Sequence, residues 1–136
     1  MRDKKREISV EQQIFVMNKL FPQFKYYRSN KGSTWKGWLQ PTQQSLKYSI
    51  LIRYPSNKIP SVWIKYPEIR KNVPHRYRDG SLCLYFPEDN SWNPNMFLAK
   101  QIIPWVAEWL RFYEIWMITG KWYGEEASHS KVKTSK

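Results

Sequence analysis

Leu46-Lys47-Tyr48-Ser49-Ile50-Leu51-Ile52-Arg53-Tyr54-Pro55 carries the pattern that decides the fold. Leu46, Tyr48, Ile50 and Ile52 alternate with Lys47, Ser49 and Arg53, the period of a strand with one buried face. The run Tyr54-Pro55-Ser56-Asn57-Lys58-Ile59-Pro60 breaks it, and Val62, Ile64 and Tyr66 resume the alternation. Upstream, Phe24 to Arg28 and Thr34 to Gln40 read as two further strands. Ser29-Asn30-Lys31-Gly32-Ser33 between them has turn chemistry, and Pro41-Thr42-Gln43-Gln44 makes the next connection. Strands joined by such short connections predict a four-stranded antiparallel meander.

Helices flank this sheet. Ser9 and Gln12 form a capping box, and Val10, Ile14, Met17 and Phe21 recur at helical spacing until Pro22, so a helix is expected over roughly residues 9 to 20. From Met96 to Ile118, Trp105, Trp109, Phe112 and Trp116 make one apolar stripe, and Val106, Leu110, Tyr113 and Met117 a second beside it. Glu108, Arg111 and Glu114 leave a narrow polar edge, the pattern of a largely buried helix. Pro104 is expected to kink it or to open a new helix, and Gly120 to stop it. Residues 67–94 lack periodicity and are punctuated by Pro67, Pro74, Pro87 and Pro94, a long irregular loop of the kind that is usually functional. The fold class is therefore α+β. One domain is expected over residues 1–124, with a polar tail over 125–136.

Composition narrows the classes. Hydrophobic residues are 41% of the 136 and aromatics 17%, which excludes a disordered chain. The lone cysteine excludes an intramolecular disulfide and a multi-cysteine zinc site, and no metal or cofactor is expected. No apolar run approaches the ~20 residues of a membrane span. The basic start, Met1 to Arg6, lacks an apolar signal core, so a cytoplasmic protein is expected. The net charge of +12 is uneven: 17 basic and 4 acidic residues precede Asp79, against 6 and 7 from Asp79 onward. A basic half suits an anionic partner or, equally, a solvated surface.

Cys83 sits in the irregular loop, within Asp79-Gly80-Ser81-Leu82-Cys83-Leu84-Tyr85. A cysteine there reads as a small buried hydrophobe or as a nucleophile. For the second reading, Gly80 makes a turn before it, and His75, Arg76 and Arg78 upstream favour a thiolate. A cysteine nucleophile serves a hydrolase, which needs a strong base beside it, or an acyl carrier, which needs an oxyanion donor and an amine that loses its proton. The carrier requires a sulfur that another chain can reach.

The order of elements and several short motifs resemble the ubiquitin-conjugating enzyme (UBC) family. Tyr54-Pro55 with Pro60-Ser61-Val62 resembles its Tyr-Pro…Pro-x-Val stretch between the third and fourth strands. Gly80, Cys83-Leu84 and Trp92-Asn93-Pro94 resemble its Gly, Cys-Leu and Trp-x-Pro. The resemblance covers residues 9 to about 118. It implies a UBC-like fold with an N-terminal helix, the meander, a cysteine-bearing loop and C-terminal helices, and a thioester on Cys83. The family's His-Pro-Asn reads Val73-Pro74-His75 here, so His75 takes the position of the Asn that stabilises the oxyanion. An imidazole there suits an oxyanion donor, a base toward the amine, or a structural hydrogen-bonding residue. Ser56 replaces the aromatic residue usual after Tyr-Pro, which argues against a conventional RING-type ligase as partner.

A narrower resemblance lies further on. Glu108-Trp109-Leu110, Tyr113-Glu114-Ile115-Trp116, Thr119-Gly120-Lys121-Trp122, Gly124-Glu125 and His129 are similar to bacterial conjugating-enzyme-like proteins of antiphage operons that signal with cyclic oligonucleotides (CBASS), and the length suits the stand-alone form of type II short operons. This implies that Cys83 accepts the C-terminus of a cGAS-like nucleotidyltransferase and passes it to a lysine of an acceptor protein, priming cyclic-oligonucleotide synthesis. Asp79, Glu88 and Asp89 are then candidates to attract and deprotonate the lysine, with Trp92 in support. Two other readings stay open. One is a scaffold that binds the nucleotidyltransferase without chemistry. The other is a basic nucleic-acid-binding module with aromatics for stacking, disfavoured because it leaves the cysteine loop without a role. No membrane partner and no direct nucleic-acid partner are expected.

Overall fold

The structure is a computed structural model, and it describes residues 6–84 and 91–124. Helix α1 (Val10–Leu20) precedes strands β1 (Lys25–Ser29), β2 (Gly32–Leu39), β3 (Tyr48–Tyr54) and β4 (Ser61–Tyr66), and helix α2 (Leu98–Thr119) follows the loop. The strands pair antiparallel in the order β1-β2-β3-β4, the expected meander. The expected capping box starts α1: Gln12 N–H donates to Ser9 Oγ (3.1 Å) and Ser9 N–H to Gln12 Oε1 (2.9 Å).

Trp35, Leu39, Ile50, Ile52 and Val62 form the buried inner face of the sheet. Ile102, Ile103, Val106 and Leu110 of α2 cover it, and Met17 of α1 joins the same core. Gly37 stands on that inner face because Phe24 fills its place: a Cβ there would lie 2.5 Å from the Phe24 ring. Glu114 of α2 accepts from the Tyr48 hydroxyl (2.7 Å) and from Ser45 Oγ (2.8 Å). Burial, reinforced by that carboxylate, pushes the Tyr48 phenol above its ordinary value.

Three expectations need correction. Leu46 is exposed and precedes β3, because the turn formed by Thr42 and Ser45 delays the strand to Tyr48. Tyr66 is 69% exposed instead of facing inward. The register shifts there: Ile50 opposes Ile64 but Ser49 opposes Tyr66, so Lys65 is an extra residue and Tyr66 shares the outward face with Ser49. Pro104 does not open a new helix: one C-terminal helix runs through it among the described residues. Pro104 and Lys100 are both exposed, so water can hydrate the Lys100 carbonyl that Pro104 leaves without a donor. Gly120 stops the helix as expected, in the left-handed region (φ 78°), with its N–H on Trp116 O (2.8 Å).

The first turn of α2 has no cap of its own, since Phe97 offers no side-chain acceptor. Buried Gln13 of α1 supplies one: its Oε1 accepts from Leu98 N–H (2.9 Å) while its Nε2 donates to Met96 O (3.0 Å). Gln13→Met keeps the volume but orphans the Leu98 N–H. It is expected to destabilise the fold by about 1–3 kcal/mol in urea denaturation, and an unchanged midpoint would show that α2 starts without this contact.

Candidate functional site

The irregular loop contains a small hairpin that the sequence did not reveal. Cys83 N–H donates to His75 O (2.9 Å), Tyr77 N–H to Ser81 O (2.8 Å) and Gly80 N–H to Tyr77 O (2.9 Å), with Arg76 and Leu82 bridged between them. His75 therefore lies directly across from Cys83, although eight positions separate them in sequence. The turn is closed by Asp79, whose Oδ1 accepts from Ser81 N–H (2.9 Å) and Ser81 Oγ (2.7 Å). Those two hydrogen bonds, the hydroxyl first, hold the Asp79 carboxyl below its usual range. Gly80 takes φ 92°, and the Trp63 indole N–H donates to Asp79 O (3.1 Å) beside it. Leu82 N–H donates to Val62 O (2.8 Å), docking the hairpin on β4.

His75 is anchored from α2 and from the segment after it. Its backbone is left-handed (φ 63°), and its carbonyl also accepts from the Trp109 indole N–H (3.1 Å). Its imidazole packs 4.9 Å from the Trp122 ring. Trp122 in turn packs against Trp109 (5.4 Å) and Phe112 (6.0 Å). Gly124 is required here, since a Cβ would lie 2.6 Å from the Phe112 ring and 2.8 Å from the Trp122 indole nitrogen. Trp109, Trp122 and Gly124 are thus positioning residues of the site. Their sequence signal was the Trp-rich segment ending in Gly120-Lys121-Trp122, which spacing alone could not connect to His75.

Cys83 is 7% exposed. It counts among the buried hydrophobic residues of the core, as does its neighbour Leu82. Leu82 and Leu84 line a groove of about 470 Å³ together with Ile59, Val62, Tyr77 and Arg78, and Cys83 between them is not part of its lining. The structure thus brings Cys83, His75 and Asp79 into one hairpin, with the Asp79 carboxylate turned onto Ser81. Trp92 is buried elsewhere in the wall of the core, edge-on to Tyr54 (6.0 Å) and donating its indole N–H to Lys58 O (3.0 Å). Glu88, Asp89 and His129 lie outside the described residues. Among the described residues no cluster of His, Cys, Asp or Glu is arranged to hold a metal, and no helix is long and apolar enough to cross a membrane.

A family model described as Type II CBASS E2 protein matches residues 13–130, a span that contains most of α1, the sheet, the cysteine hairpin and α2. No curated protein matches the chain.

Asp79→Ala removes the acceptor for two groups of buried Ser81 and is expected to cost about 1–2 kcal/mol at pH 7 by chemical denaturation. Because the folded state lowers the Asp79 carboxyl, its contribution is fully present above the ordinary carboxylate value and is lost as pH falls through the lowered one. The gap between wild type and variant should therefore shrink toward pH 2, and a gap independent of pH would refute the assignment.

Proposed function

The chain belongs to the Type II CBASS E2 family, and from that premise we propose that Cys83 carries an acyl group as a thioester and hands it to an amine. The donor is the C-terminal carboxyl of a cGAS-like nucleotidyltransferase, activated before it reaches this protein. The Cys83 thiolate attacks the activated carbonyl carbon, a C–S bond forms and the activating group leaves. A lysine amine of an acceptor protein then attacks the thioester carbon. The C–S bond breaks, the thiolate departs, the amine gives up its proton and an isopeptide bond remains. Conjugation of this kind primes cyclic-oligonucleotide synthesis.

The observation that supports this reading is the Cys83 N–H bond to His75 O, which pairs the backbones of the two residues across the hairpin. His75 then serves as donor to the tetrahedral oxyanion or as acceptor of the amine proton. The packing of its ring on Trp122 favours a fixed imidazole, and catalytic hydrogen bonds depend on such preorganisation. Asp79 contributes by holding the turn, and Asp89 with Glu88 by attracting the lysine.

The 7% exposure of Cys83 favours a second reading, a scaffold that activates the nucleotidyltransferase by binding alone. Co-expression with the operon's nucleotidyltransferase separates the two. Under the carrier reading, Cys83→Ala abolishes conjugates, and Cys83→Ser traps an oxyester that resists thiols. His75→Ala slows transfer by about 10²–10³. Conjugates and synthase output that persist at wild-type levels in Cys83→Ala would establish the scaffold instead.

A further inference from the structure

We propose that the outward face of the sheet binds single-stranded nucleic acid. Between Glu11 and Glu68 the chain has nine Lys or Arg and no Asp or Glu, and this stretch contains every strand. Strand alternation sorts it. Trp35, Leu39, Ile50 and Ile52 go inward, whereas Tyr27, Lys36, Trp38, Leu51 and Arg53 go outward. Together with Lys65 these line a concave surface of about 800 Å³ that includes no residue of the cysteine loop. Tyr27 and Trp38 remain 48% and 40% exposed.

Charge and rings coincide on this face. Lys47 Nζ lies 4.3 Å from the Trp38 ring centroid, Lys36 Nζ 5.2 Å from that of Tyr27, and the Arg53 guanidinium 5.4 Å from that of Trp63. Tyr27 stands across from Thr34, four residues before Trp38 on β2, so the two backbone positions are about 14 Å apart along the strand. Lys36 and Arg53 lie between and beside them. Solvated lysines that merely maintain solubility need no aromatic partners. An acidic peptide satisfies the cations but offers no flat ring to Tyr27 or Trp38. A single strand supplies both, with phosphates for Lys and Arg and bases for the rings, as on other sheet platforms that stack bases. In sequence these residues are scattered over four strands, which is why they did not read as a site.

The test is fluorescence anisotropy of the full chain with a labelled oligothymidylate and an oligouridylate of about 12 nucleotides, within the size range of single-strand platforms. Binding should appear at ~50 mM salt and weaken with a log–log slope of about −0.7 for each phosphate contacted. The double variant Lys36→Glu, Arg53→Glu should lose at least about tenfold at that salt. Trp38→Ala should weaken binding about 5- to 150-fold and Trp38→Phe restore most of it, with circular dichroism melts confirming the fold of each variant. Cys83→Ala should bind as wild type does. Absence of binding at ~50 mM salt overturns the proposal. So does displacement by polyglutamate of matched charge together with a silent Trp38→Ala, which would assign the face to an acidic protein segment.

Discussion

The carbonyl oxygen of His75 holds the site together. It accepts from Cys83 N–H on one side and from the Trp109 indole on the other, so a single acceptor joins the cysteine hairpin to α2. The arrangement requires His75 in the left-handed region, which for an L-residue costs roughly 1–2 kcal/mol. Two buried-side hydrogen bonds of about 1 kcal/mol each are enough to offset that cost. A right-handed or extended His75 would turn the carbonyl away from one partner or the other. The loop would then lose that tie to the helix.

This constraint gives meaning to the low exposure of Cys83. Leu82 is fastened to β4 through Val62 O and to the core through its side chain, and Cys83 is fastened through its own N–H one residue later. The backbone is thus fixed up to the residue that carries the sulfur. A thioester carrier has two competing needs, access for a second chain and protection of the intermediate from water. A buried thiol serves the second need at rest. It meets the first only by a local opening of its cover.

The elements were legible in the sequence wherever one face of a regular element is buried. Ile50 and Ile52 in β3, Ser9 and Gln12 at the start of α1, and Gly120 at the end of α2 each state a local rule that the fold obeys. Tyr66 was misread because its alternation with Val62 and Ile64 is genuine in sequence, and an extra residue in the pairing turned it outward. A bulge depends on the partner strand and leaves no trace in the bulged strand's own pattern. The same reason hid Gln13. A polar residue on an amphipathic helix reads as surface until the other helix's uncapped N-terminus appears beside it. For the site, resemblance pointed to Cys83 and His75, and the hairpin that pairs them is a matter of backbone hydrogen bonds within a stretch without periodicity.

The end of α2 carries the remaining step. Trp122 lies beyond the αL stop at Gly120, where a helix normally frays. Here the chain turns back: Trp122 packs on Trp109 and Phe112 and presents a ring to His75, and the space that lets it do so is the missing side chain of Gly124. The backbone of His75 is set by Trp109 and its imidazole by Trp122, thirteen residues apart on the same aromatic cluster. The imidazole's position therefore depends on the packing of the helix end as much as on the loop in which His75 sits.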